Sequence, residues 1–107
     1  MPENLQTGAK PLMIAVPDEL ASLRPDLQRF FDAMIYKLRR NKNKGRWEDL
    51  NLERSFELLQ GEVVELDQAL AEGSSVEVLM EAADVANFAL IVANIGLEAK
   101  DKANAVG

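Results

Sequence analysis

The chain has 107 residues, a length suited to one domain, with 18 acidic and 12 basic residues and a net charge of −6. That balance argues against a stable nucleic-acid partner. Cysteine and histidine are both absent, which excludes disulfides, thiolate zinc sites and Ser-His catalysis. Any metal must then be held by oxygen, as suits Mg²⁺, Mn²⁺ or Ca²⁺.

Residues 1–17 read as an irregular arm, with three of the four prolines, one glycine and no sustained period. Glu3 and Lys10 interrupt it, and its apolar run at 12–16 is too short for the core of a signal peptide. The expected location is the cytoplasm. From residue 18 to residue 41, Leu20, Leu23, Leu27, Phe30, Phe31, Met34, Ile35 and Leu38 follow the i, i+3, i+4 spacing of an amphipathic helix. Pro25 suits a first turn, so a short turn should precede the longer helix. Six of the 12 basic residues fall between Lys37 and Arg46, and the polar loop NKNKGRWED (41–49) holds the only tryptophan, Trp47.

A second helix is predicted over 51–72. Leu52, Phe56, Leu59, Val63, Leu66 and Leu70 form a heptad-like seam, and Gly73 is a natural stop. Gly61 lies inside this helix, where glycine costs about 1 kcal/mol relative to alanine; its presence suggests close packing, or a side chain excluded there for a reason. Ser74 and Glu77 read as a capping box that opens a third helix, predicted over 75–100. Residues 85–97 of that helix are apolar nearly all round, as in a helix buried on several sides, yet they are too few to span a bilayer. The expected architecture is an all-α domain over 18–107. A helical hairpin and a preceding helix would form a four-helix-bundle-like core on oligomerisation.

The chemistry concentrates in two pairs of acids. Glu62 and Glu65 form an E-x-x-E on the second helix, and Glu81 with Asp84 an E-x-x-D on the third. Residues three apart share a helix face. Each pair lies about 12–17 Å from the turn at 1.5 Å per residue, so the two should face each other across the hairpin. Four like charges at one level repel unless a divalent cation neutralises them. Glu77, Glu81, Asp84, Asn87 and Asn94 continue as a polar stripe down an otherwise apolar helix, where unpaired carboxylates are costly. Solvated acids on an acidic surface are the plain alternative. A di-iron carboxylate bundle would need Glu-x-x-His motifs, and the chain has no histidine.

The strings GEVVELDQAL (61–70) and MEAADVANFALIV (80–92) resemble the MazG-like nucleoside triphosphate pyrophosphohydrolases of the all-α NTP pyrophosphatase superfamily. The upstream KGRWEDLNLERSFELLQ (44–60) is similar to the tryptophan-containing lead-in of several members, including the dCTP pyrophosphatases. The resemblance spans residues 37–95. It departs from many members at Gly61, where they carry a third acid, and in the segment after the third helix, where only Lys100, Lys102 and Asn104 could contact phosphates.

The resemblance implies Mg²⁺-dependent hydrolysis of (d)NTPs at the α–β phosphoanhydride to monophosphate and pyrophosphate, with Mn²⁺ as a substitute ion. Glu62, Glu65, Glu81 and Asp84 would hold the metal, and Glu62 or Glu65 would orient or deprotonate the attacking water. Lys37, Lys44 and Arg46 are the candidate phosphate contacts, Trp47 a candidate base-stacking residue, and Asn87 a candidate sugar or phosphate contact. The apolar third helix points to a homodimer or homotetramer, as in family members, with no membrane partner. Two rivals share these features: a non-catalytic helical interaction module and a nucleotide-binding regulator that has lost turnover.

Overall fold

The computed structural model of the chain describes residues 13–41 and 49–106. Among them there is no strand. A 3₁₀ helix, Asp18–Leu23, runs into α1, Arg24–Asn41; α2 is Leu52–Glu72 and α3 is Ser75–Val106. Pro25 is the second residue of α1, where its missing N–H is no loss. Residues 13–17 have no regular structure. They dock on α1 through the Ile14 N–H, which donates to Gln28 Oε1 at 3.1 Å.

The hairpin is fixed by its ends. Asn51 caps α2 by accepting from the Arg54 N–H at 2.7 Å. The box at the start of α3 is complete: the Glu77 N–H donates to Ser74 Oγ and the Ser74 N–H donates to Glu77 Oε1, both at 3.3 Å. Only Gly73 and Ser74 separate the two helices, which fold back as antiparallel neighbours. Gly73 is required for space rather than for a left-handed backbone: its φ is −89°. A Cβ there would lie 2.9 Å from the Ala69 carbonyl oxygen, which already accepts the Gly73 N–H at 2.7 Å.

Of the two reasons expected for Gly61, close packing is not seen. Nothing lies within 4 Å of a Cβ built there, so close packing inside the chain is not its reason. Gly73→Ala should therefore destabilise the protein, and Gly61→Ala should stabilise it by about 0.5–1 kcal/mol. Denaturant midpoints of the two variants check both signs.

α3 is the central element, packed on α2 along one side and on α1 along another. The pairings of Lys37 with Asp84 and of Met34 with Asn87 set α1 antiparallel to α3. Among the described residues few apolar side chains are fully buried by this packing, and most of the larger ones are half-buried. The buried apolar residues are Ala33, Ala69, Ala83 and Ile91, and beside them lie the polar Ser55, Asp84 and Asn87.

The seam predicted on α2 is rotated in the structure. Its inward line is Ser55, Leu59, Glu62, Leu66 and Ala69, all buried or half-buried, whereas Leu52, Phe56, Val63 and Leu70 are exposed. Leu52 still reaches α3 at Gly96, but Phe56, Val63 and Leu70 are left outside, and Glu62 is the acid of α2 that points in.

By length and composition α3 would suffice to cross a membrane: Ser75–Asn104 contains an 18-residue window of mean hydropathy 1.6. That is more than the 13 residues at 85–97 suggested, because alanines on both flanks extend the apolar run. Core helices of soluble proteins meet the same criterion, and α3 packs on two neighbours with Asp84 and Asn87 buried.

Candidate metal centre

Three of the four predicted carboxylates converge. One oxygen from each of Glu62, Glu81 and Asp84 lies within 4.8 Å of the others, drawn from both arms of the hairpin. Level matching across the Gly73 turn is what aligns them. Glu65 is more exposed and stands outside that triple, but its carboxyl lies near enough to push both Glu62 and Glu81 up.

The electrostatics of the cluster are unfavourable without a cation. Burial, followed by contact with Glu65 and the charges of Asp84 and Glu81, pushes the Glu62 carboxyl up to about 7. Burial also raises Glu81, with Glu65 and Asp84 adding and Lys37 opposing. Glu62 Oε2 and Glu81 Oε2 are buried with no hydrogen-bond partner. Orphaned buried oxygens are rare in folded proteins and ask for a ligand. The donor set fits a hard divalent cation: carboxylate oxygens only, from three side chains, with lone pairs unused.

Two neighbours from α1 complete the surroundings. Lys37 Nζ is 3.0 Å from Asp84 Oδ2, with the two side chains 21% and 10% exposed. Asn87, one turn beyond Asp84, is buried; its Nδ2 donates to the Met34 carbonyl at 3.0 Å, while its Oδ1 has no partner. Asn87 therefore ties α3 to α1 and keeps one acceptor unused. Both α1 contacts escaped sequence reasoning, which placed Lys37 on phosphate and Asn87 on sugar or phosphate. No helical spacing connects residues 47 or 53 apart, so nothing short of the packing could have revealed them. Lys44, Arg46 and Trp47 lie outside the described residues. An open groove beside the cluster, lined by Glu65, Gln68, Glu72, Glu77 and Glu81, leads from it to the hairpin turn.

No protein family, curated protein or solved structure matches the chain.

The raised Glu62 carboxyl has a measurable sign. Its folded value of about 7 lies above the ordinary 4.5, so the metal-free native state holds the proton more tightly than the unfolded chain. Stability from this group is complete below about 4.5 and is lost as pH rises towards 7. In chelator, the melting temperature of the wild type should fall relative to Glu62→Gln between pH 5 and 7.5. Saturating Mg²⁺ should reverse the trend, because coordination requires the ionised carboxylate and releases its proton. A pH-independent difference between the two proteins would rule this out.

Proposed function

We propose that the chain is a Mg²⁺-dependent nucleoside triphosphate pyrophosphohydrolase, MazG-like in its two carboxylate motifs. The observation that carries this reading is the convergence of Glu62, Glu81 and Asp84 within 4.8 Å, with two buried oxygens left unpaired. Glu62, Glu81 and Asp84 would hold the cation, with Glu65 at the edge. A bound Mg²⁺ would supply charge neutralisation at the phosphates and a more acidic water.

The chain's own groups then account for the rest. A (d)NTP would bind with its phosphates at the cluster and water would add at the α-phosphorus. The α–β bridge would break, giving monophosphate and pyrophosphate, and a Glu62 or Glu65 carboxylate would take the water's proton. Lys37 lies close enough to the cluster to meet a phosphate. Lys44, Arg46 and Trp47 are proposed as further phosphate and base contacts on sequence grounds alone.

A homodimer or homotetramer in the cytoplasm, with a four-helix-bundle-like core formed between copies, completes the proposal. Its support is the exposed apolar face of α2 together with Leu90 and Leu97 on α3.

The test is incubation with a panel of NTPs and dNTPs, with Mg²⁺ or chelator, and separation of products. Monophosphate with pyrophosphate, lost in chelator, is the expected result. Diphosphate with phosphate would refute the chemistry. A metal-dependent rise in melting temperature without any product would mark a nucleotide-binding regulator, and neither signal would mark a helical interaction module.

A further inference from the structure

The Lys37–Asp84 contact joins the cluster's most buried acid to a flexible ammonium from a different helix. Asp84 is 7% exposed, and one of its oxygens is bonded to Lys37 Nζ at 3.0 Å. Burial of a lone carboxylate is expensive, so the ammonium stabilises Asp84 in the absence of metal. Glu62 Oε2 and Glu81 Oε2 receive no such partner. The cluster is thus directly paired at one corner only, although the same charge is also felt at Glu81, by a group whose four-carbon stem lets it swing away.

We infer that Lys37 is an internal counter-ion that occupies Asp84 in the metal-free protein and is displaced when a divalent cation binds the carboxylates. The inference rests on the metal site proposed above and goes beyond it by giving the site a built-in occupant.

Geometry makes the two cations exclusive. Mg²⁺ coordinates carboxylate oxygens at about 2.0–2.1 Å, so an ion on Asp84 Oδ2 would sit at most about 5 Å from Nζ in its present position. Two positive charges that close, in a partly buried site, repel strongly. The metal also has more to gain: it reaches Glu62 and Glu81 as well as Asp84, whereas the ammonium is bonded to Asp84 alone.

Displacement has a use. The freed ammonium remains on α1 beside the cluster, where it can meet a phosphate oxygen. Metal arrival would thereby convert Lys37 from an Asp84 partner into an anion contact, so that a triphosphate meets the full positive charge only after the ion is in place.

Two measurements test this, and both use Mn²⁺ alone as the probe. First, Lys37→Met should bind Mn²⁺ about tenfold more tightly than the wild type by isothermal titration, because the competitor is gone; tenfold corresponds to about 1.4 kcal/mol. Second, the unaltered protein can be labelled with an amine-reactive ester and Lys37 followed by peptide mass spectrometry. Labelling of Lys37 should accelerate severalfold on saturation with Mn²⁺, while exposed Lys100 and Lys102 stay constant. This second experiment does not depend on the variant folding.

Equal Mn²⁺ affinity within twofold, or Lys37 labelling that Mn²⁺ leaves unchanged or slows, would overturn the exchange while leaving the metal site standing. Failure of Mn²⁺ to bind the wild type and the variant alike would overturn both.

Discussion

Glu62→Gln is expected to make the metal-free protein more stable and, in the same step, to remove its affinity for Mg²⁺. The two effects have one cause. Glu62 faces three other carboxylates from a half-buried position, and its ionised form is disfavoured up to about pH 7. Above that pH the native state carries the repulsion, and the amide removes it. In chelator at pH 8 the melting temperature should rise, by roughly 5 °C if the relief is on the order of 1 kcal/mol. The carboxylate lost is also a metal ligand in the proposed site. Changes to groups that merely support metal ligands cost roughly 10–100-fold in affinity or activity, so loss of a ligand should cost at least about 100-fold.

Asp84→Asn supplies the contrast. It too should abolish metal binding and turnover, but in chelator it should destabilise, because Lys37 loses its partner. Thermal melts of both variants with and without Mg²⁺ decide the matter. Opposite signs in chelator with no metal response in either variant would agree with a metal centre maintained at a cost in stability. If Glu62→Gln destabilised the metal-free protein, or if either variant kept the wild-type metal shift, the cluster would be ordinary structure. Glu77→Gln is the control: this acid lies on the same stripe but is exposed and bonded to Ser74, so metal binding should persist.

The helices were legible in the sequence because their signals are local. The Asn51 cap, the Ser74–Glu77 box and the two-residue connection need only neighbours a few positions away, and they fix the hairpin that brings Glu62 level with Glu81 and Asp84. The rotation of α2 was less legible. Its apolar line 52-56-59-63-66-70 and its small, polar line 55-59-62-66-69 share Leu59 and Leu66, and periodicity alone favours the greasier of the two. Packing chose the other, because Ser55 and Ala69 allow the close approach to α3 that Phe56 and Leu70 would prevent. The end of α3 extends to Val106, six residues beyond the predicted 100, since residues 101–106 offer alanines and charged side chains but no stop. Lys37 of α1 was singled out from the sequence, but its pairing with Asp84 was not legible, since the two meet only through the packing of one helix on another.

Phe56→Glu is expected to dissociate the proposed oligomer. Within one chain α2 leaves Phe56, Val63 and Leu70 in solvent on one face, with Phe56 50% and Leu70 65% exposed, and Leu97 on α3 is 62% exposed. Meanwhile the interior holds mostly alanine and polar residues. A small domain with that distribution gains little from its own core, and an apolar stripe of this kind marks an association surface. In the proposed oligomer Phe56 would be the aromatic anchor of this face, and loss of a hot-spot residue of that kind costs about 2 kcal/mol or more, at least about 30-fold in the dissociation constant. Sedimentation velocity at micromolar concentrations should find the wild type as dimer or tetramer and Phe56→Glu as monomer. The melting temperature should rise with concentration in the wild type alone. A wild type that sediments as a monomer would leave this face without an occupant and sink the assembly. Turnover by the dissociated variant then carries separate information. Loss of activity together with association would mean that a second copy completes the site, and full activity in the monomer would place every required group, from Glu62 to Lys37, on one chain.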